Sequence, residues 1–284
     1  MPVEFAKRLI ANQGDEVRPW LAGLPDLARW CCREWRLEID GPAWHGCTAL
    51  VFPARRDGER LALKLAWQDG STRDEPVALS TWDGQGAVRL LESGRGTLLL
   101  ERLDASRSLA ARPLSEAVEV AATLLRRLAV PAPPGLRTLR REAERLAQEL
   151  PAEWARLGEP LPKRLLDAAV AACRDLGPEA GTALVNEDMH YQNVLAGTRE
   201  PWLVIDPKPL AGDPEFGVIP LLWNRFGEST VENRVRAVAG GMDADRVWAW
   251  TLVRAVDNWL WAAEHGGFPT VPILSAIAEE AALE

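Results

Sequence analysis

The hydrophobic pattern of this chain shifts from strand-like to mainly helix-like near Asp104, and that shift limits the possible folds more than any other feature. Upstream, short apolar runs alternate with turn residues. The runs at 49–52 and 61–66 flank Asp57-Gly58, as expected for two strands joined by a tight turn. The runs at 87–91 and 97–103 read as two more strands, separated by Gly94 and Gly96. In this half, helical spacing appears over residues 20–36 and 73–82. Downstream, helical spacing takes over at 114–130, 137–157, 162–176 and from Pro220 onward. Pro131-Ala-Pro-Pro-Gly is short and helix-flanked, so it reads as a rigid loop rather than a linker. Brief apolar runs return over 182–206, and their spacing predicts a short hairpin ending at Asp206. A length of 284 residues suits two lobes. The expectation is an α+β chain, with a small sheet lobe over 1–103 and a larger, mainly helical lobe over 104–284.

The formal net charge is −8, with 41 acidic and 33 basic residues and no basic run, which argues against a nucleic-acid partner. The apolar stretch Val247 to Ala263 is broken by Arg254 and Asp257, so no membrane span is expected. The sequence begins Met-Pro-Val-Glu-Phe without a basic region and apolar run, and Cys31, Cys32, Cys47 and Cys173 form no C-x-x-C pair. A cytoplasmic chain with reduced, mostly buried thiols is the simplest reading. The 13 tryptophans are read first as core residues.

The segment Val185-Asn186-Glu187-Asp188-Met189-His190-Tyr191-Gln192-Asn193-Val194-Leu195 carries the chemistry. An Asp is followed five positions later by an Asn, and a second carboxylate, Asp206, ends the next apolar run. Phosphoryl transfer needs such a set: one carboxylate to orient a hydroxyl and take its proton, and hard oxygen donors to hold magnesium against phosphates. The same spacing also describes a turn capped by Asp and Asn. A cation for the phosphates is the remaining requirement. Lys64 sits inside an apolar strand, where alternation alone would turn it to solvent. If it serves phosphates, Glu75 or the adjacent Asp74 is its partner.

With these residues in view, the chain resembles the aminoglycoside phosphotransferases, in the branch of streptomycin 6-kinases and hydroxyurea phosphotransferases. The resemblance runs over almost the whole length, through Trp82-Asp-Gly, Leu99-Leu-Glu-Arg-Leu, Asp188 to Leu195, Ile205-Asp-Pro-Lys and Leu221-Leu-Trp-Asn-Arg. It implies a two-lobed, protein-kinase-like fold and magnesium-dependent transfer from ATP to a hydroxyl of a small molecule such as streptomycin. It further implies that Lys64 contacts the nucleotide phosphates, paired with Glu75. Residues Glu101 to Leu103 become the hinge that binds adenine, Asp188 the base, and Asn193 and Asp206 the magnesium ligands. The segment Gly46-Cys47-Thr48 falls in the loop over the phosphates.

Two departures from the family pattern stand out. His-Gly before the catalytic Asp is replaced by Asn186-Glu187, so the resemblance implies that Asn186 supports the loop through its amide. The pattern Gly-Asp-Pro-x-Tyr-Asp appears as Gly212-Asp-Pro-Glu-Phe-Gly217, without the second Asp. For a cationic acceptor, Glu187, His190, Asp257 and Glu264 are candidate contacts, and the acidic residues equally suit a solvated helix face. Trp259 and Trp261 either wall the pocket or pack the lobe. Two further readings accompany the antibiotic kinase: a metabolic amino-sugar kinase, and a nucleotide-binding protein with little transferase activity, motivated by Asn186-Glu187.

Overall fold

Alternation along one strand sets up the first lobe. Over Glu59–Ala66 (β4), Leu61, Leu63 and Leu65 are fully buried on one face, against Phe5, Leu9, Leu21 and Leu24. These come from the helices Val3–Gln13 (α1) and Arg18–Glu34 (α2). Each such side chain contributes about 1.5–3 kcal/mol through burial. Ala62 and Lys64 point to the opposite face. That face is covered rather than solvated, by the helix Glu75–Trp82 (α3), so Lys64 is 5% exposed. The alternation is as expected, but the solvent-face reading of Lys64 is corrected, because a helix closes the second side of the sheet.

The computed structural model describes residues 2–70, 72–266 and 270–283. The first-lobe sheet contains Glu38–Ile39 (β1), Trp44–His45 (β2), Ala49–Arg56 (β3), β4, Leu90–Gly94 (β5) and Thr97–Glu101 (β6). Its order is β1-β3-β4-β6-β5, with β2 on β3. The β3–β4 turn has positive φ at Asp57 (52°) and Gly58 (85°), the geometry a two-residue hairpin favours.

The strand Asp104–Ser108 (β7) joins a three-stranded sheet with Val194–Ala196 (β9) and Leu203–Val204 (β10), in the order β10-β9-β7. Ala183–Asn186 (β8) pairs instead with Pro209–Gly212 (β11). The expected hairpin over 182–206 is therefore corrected: β9 and β10 form it, while β8 leaves for a partner beyond Asp206. The Pro-rich loop is pinned to β8, since Leu184 N–H donates to Val130 O at 2.7 Å and Ala132 N–H to Thr182 O at 2.9 Å.

Helices Leu114–Leu128 (α4), Leu139–Arg156 (α5), Lys163–Leu176 (α6), Pro220–Trp223 (α7), Val231–Val238 (α8), Ala244–His265 (α9) and Val271–Ala281 (α10) complete the second lobe. Helix α9 is 22 residues long and runs through its core, starting where Asp243 accepts the Arg246 N–H. Cys31 and Cys173 are buried, whereas Cys47 is exposed. Among the described residues no helix is long and apolar enough to cross a membrane.

The lobes are tied at the back of the cleft. Val88 N–H donates to Val204 O at 2.8 Å, and Val204 N–H donates to Gly86 O at 3.0 Å. Trp82 is buried, and its indole N–H caps the Leu128 carbonyl at the end of α4 at 2.8 Å. Asp83 and Gly84 then turn the chain with φ of 45° and 77°. This explains Trp-Asp-Gly as a block: an anchor in the second lobe followed by a left-handed turn.

Candidate active site

Strand β4 and helix α3 bring Lys64 and Glu75 together inside the first lobe. The ammonium lies 2.7 and 2.6 Å from the two Glu75 oxygens. It also bonds Asp206 Oδ1 of the second lobe at 2.6 Å. The choice left open by the sequence falls to Glu75; Asp74 lies 3.6 Å from Arg73 instead. Burial works against the Lys64 charge, but Asp206 and Glu75 outweigh it and hold the ammonium above its ordinary pKa. Lys64 in turn holds the Asp206 carboxyl below the usual carboxylate range. Burial raises the Glu75 carboxyl against the pull of Lys64.

Asp206 follows β10 with φ of 52°, a left-handed conformation uncommon outside glycine, which turns its half-exposed carboxylate to the cleft. Asn193 is one strand away, since Ile205 N–H donates to Asn193 O at 2.9 Å. The Asn193 amide nitrogen donates to Asp188 O at 3.2 Å, which leaves its amide oxygen available. One amide oxygen and one carboxylate form a hard donor set that fits magnesium, an ion that takes few protein ligands and completes its shell with phosphates and water.

Asp188 sits on the loop after β8. Asn186 Oδ1 accepts the N–H of both Asp188 and Lys208, each at 3.1 Å. The Asp188 carboxylate lies 2.9 Å from the Lys208 ammonium. Burial disfavours the Lys208 charge, yet Asp188, Asp206 and Glu187 together outweigh it and hold the ammonium above its ordinary pKa. The second departure also has a physical reason. A Cβ on Gly217 would lie 2.8 Å from Asn186 O and 3.2 Å from Val185 Cγ1, so no side chain fits there. Support comes from Arg254, whose guanidinium donates to Glu187 O at 3.1 Å and Phe216 O at 3.4 Å.

A cavity of about 370 Å³ opens beside Asp188. Four carboxylates line it (Glu142, Glu187, Asp188, Asp257), with three cations (Arg137, Lys208, Arg254), Asn258 and the rings of Phe216, Trp223 and Trp261. Most of the charge is paired. Glu187 bonds Arg137 and lies 3.8 Å from Arg254. Glu142 bonds Arg145 at 2.6 Å and lies 3.9 Å from Arg137. Asp257 has no ion pair among the described residues, and burial pushes its carboxyl up to about 6 against the opposing pull of Arg254 and Arg145.

The expected residues divide accordingly. Glu187, Asp188 and Asp257 meet at the cavity. Lys64, Glu75 and Asp206 form the neighbouring cluster. His190 is outside the cavity lining, with Nδ1 2.9 Å from Gln192 Oε1 and its ring near enough to Asp206 to act on it electrostatically. Glu264 is away from both groups, 2.8 Å from Arg156 on the surface. Glu101 closes β6, its carboxylate accepting from Arg89 N–H and Arg199, each at 2.7 Å; Leu103 follows, partly buried. Trp261 is 58% exposed and lines the cavity, whereas Trp259 packs in the core at 7%. Sequence reasoning did not assign Arg137, Glu142, Lys208, Phe216, Trp223, Arg254 or Asn258 to the site.

A two-lobed cleft with a buried ammonium on one wall and paired oxygen donors on the other defines a phosphotransferase of protein-kinase-like architecture. The family model for aminoglycoside/hydroxyurea antibiotic resistance kinases matches residues 34–266, and the chain belongs to that family. It is 46% identical over 275 residues to a hydroxyurea phosphotransferase of Kitasatospora aureofaciens, covering 94% of this chain and 81% of that one. It is 40% identical over 294 residues to a streptomycin 6-kinase of Streptomyces griseus, covering 98% and 96%. Among solved structures, the aminoglycoside phosphotransferase APH(4)-Ia superposes with a TM-score of 0.67 at 15% identity, covering 92% of this chain and 98% of that one. The choline kinase LicA from Streptococcus pneumoniae gives 0.57 at 12% identity, covering 87% and 93%; both likenesses speak to the fold.

Proposed function

We propose that the protein transfers the γ-phosphoryl group of ATP to a hydroxyl of a cationic aminocyclitol of the streptomycin type. The observation that carries this reading is the meeting of Lys64 from the first lobe with Asp206 from the second, at 2.6 Å, next to a cavity that contains Asp188. Lys64 binds the nucleotide phosphates, and Glu75 keeps it aimed. The main chain of Glu101 to Leu103 receives the adenine. Asn193 and Asp206 would hold magnesium, which would supply charge neutralisation on the phosphates. Asp188 orients the acceptor hydroxyl and takes its proton.

Asp257 is the free carboxylate of the acceptor cavity and meets a guanidinium or ammonium group; Glu187 shapes the same wall through Arg137 and Arg254. The name of one relative, a streptomycin 6-kinase, supports this acceptor class; that of another, a hydroxyurea phosphotransferase, points to a small neutral acceptor, which the test below includes. Asn186 and Glu187 motivated a reading with little transferase activity. Both are bonded into the loop that presents Asp188, which supports an active centre instead.

The test is ADP release with magnesium and ATP across streptomycin, other aminoglycosides, hydroxyurea, glucosamine and plain hexoses. Stimulation by streptomycin is the expected result. Stimulation by glucosamine alone would move the assignment to an amino-sugar kinase.

A further inference from the structure

The ammonium of Lys208 lies 2.9 Å from Asp188 Oδ2. The main chain of Lys208 is bonded at both polar groups to the segment just before Asp188. Its N–H donates to Asn186 Oδ1 at 3.1 Å, and its carbonyl accepts the Glu187 N–H at 3.0 Å. Pro207 precedes it and narrows the backbone freedom of its neighbours. The lysine and the carboxylate are thus one assembly, built from the pairing of β8 with β11. The Lys208 side chain is 38% exposed and lines the acceptor cavity.

Three carboxylates act on this ammonium: Asp188, Asp206 and Glu187. A phosphoryl group moving from nucleotide to acceptor carries negative charge into that same field. Lys64 cannot offset it on the acceptor side, because it is buried and committed to Glu75 and Asp206. Lys208 is on the acceptor side, and an ammonium has three N–H donors, of which Asp188 engages one. Asp188 Oδ1 makes no hydrogen bond among the described residues, so holding Oδ2 leaves Oδ1 for a hydroxyl.

We infer that Lys208 is a catalytic residue of the phosphoryl transfer, fixing Asp188 through Oδ2 and giving its remaining N–H donors to the phosphoryl group in flight. The inference rests on the kinase reading above. In the step, the bond from the γ-phosphorus to the bridging oxygen breaks and its electron pair stays on ADP. The bond from the acceptor oxygen to phosphorus forms. The hydroxyl proton passes to Asp188 Oδ1, and Lys208 keeps all its protons throughout. Its stabilisation is electrostatic and is greatest when charge is spread over the transferring group.

The experiment compares wild type, Lys208→Met and Lys208→Arg in steady-state transfer to the acceptor found in the panel, with melting temperatures alongside. Lys208→Met is expected to lower kcat by about 10²–10³-fold, the size seen when one preorganised donor is removed. Both KM values are expected to stay within about threefold, because the contact is made in the transition state. Lys208→Arg is expected to recover at least about tenfold of the lost turnover, as a retained cation should. MgADP with aluminium fluoride, a mimic of the transferring group, is expected to bind the Met variant more weakly while MgATP affinity holds. If Lys208→Met does not fold, Lys208→Gln takes its place. Turnover within about threefold of wild type overturns the inference, as does an Arg variant no better than Met. A wild-type protein that transfers phosphate to no acceptor overturns the kinase reading and this role with it. Transfer by the wild type together with an unimpaired Met variant overturns the Lys208 role alone.

Discussion

The two sides of the cleft are built on opposite principles. On the nucleotide side, a few charges are packed tightly: Lys64 bonds Glu75 and Asp206 across the lobes, at 2.6–2.7 Å. On the acceptor side, Arg137, Glu142, Glu187 and Arg254 spread their charge over a wide lattice of partners, and Asp257 is left over. A triphosphate has a fixed shape and a large charge, so a pre-aimed ammonium suits it. A polyhydroxy cation varies in shape, so rings and one unspent carboxylate suit it. A rigid ion cluster thus stands beside an adaptable polar wall.

Substitutions can break that contrast, and the largest effect is expected at the point where the two sides meet. Asp188→Asn should lower turnover by about 10²–10⁴-fold, with MgATP affinity nearly intact by calorimetry. Unchanged turnover would remove Asp188 from the base role.

Next is Lys64→Met, which strands the buried Glu75 carboxylate. Removing one partner of a buried pair destabilises by about 3–5 kcal/mol, which urea unfolding would read. Protonation of Glu75 relieves that penalty, so the loss should shrink as pH falls, because its folded pKa is raised by burial. A pH-independent loss would mean that the pair carries no buried charge.

A smaller effect is expected on the acceptor side. Asp257→Asn should raise the acceptor KM by about tenfold, or about 1.4 kcal/mol, and leave the KM for MgATP unchanged. The sign with pH follows from the raised carboxyl at about 6: it is ionised above that value and neutral below. Cation affinity should therefore weaken by up to about tenfold per unit as pH falls below 6 in the wild type, and the Asn variant should lose that limb. A limb that survives in the variant would assign it to another group. The smallest effect is expected at Glu264, whose Arg156 partner is as exposed as itself. Glu264→Ala should change stability by less than about 1 kcal/mol and leave both KM values alone.

The same contrast decides what could be read from the sequence. Lys64, Asp188, Asn193 and Asp206 stand in short local patterns, the next helix offers Glu75 or Asp74 as the Lys64 partner, and the family resemblance favours Glu75. The acceptor wall is assembled from four distant segments and has no such pattern. A signal was present in α9: Arg254, Asp257, Asn258 and Trp261 recur at helical spacing and form one polar stripe on an otherwise apolar helix. The sequence offers Asp257 as a candidate contact, whereas Arg254 stands there only as an interruption of an apolar run. The β8–β11 pairing was illegible for a different reason: strands of four residues carry too little alternation to declare a partner. Strand β7, Asp104–Ser108, has only Ala105 as an apolar residue and is made by its pairing alone. Helix α1 shows only Phe5 and Leu9 as buried anchors, a thin signal for a helix docked under a sheet.

The main-chain bonds between Gly86, Val88 and Val204 have a mechanical consequence. Val204 lies two residues before Asp206, so the strand that delivers the proposed metal ligand is riveted to the lobe that carries Lys64. A cleft that swings about residues 101–104 must shear those rivets. The jaw is therefore held at its back by main-chain bonds, and not by side-chain packing alone.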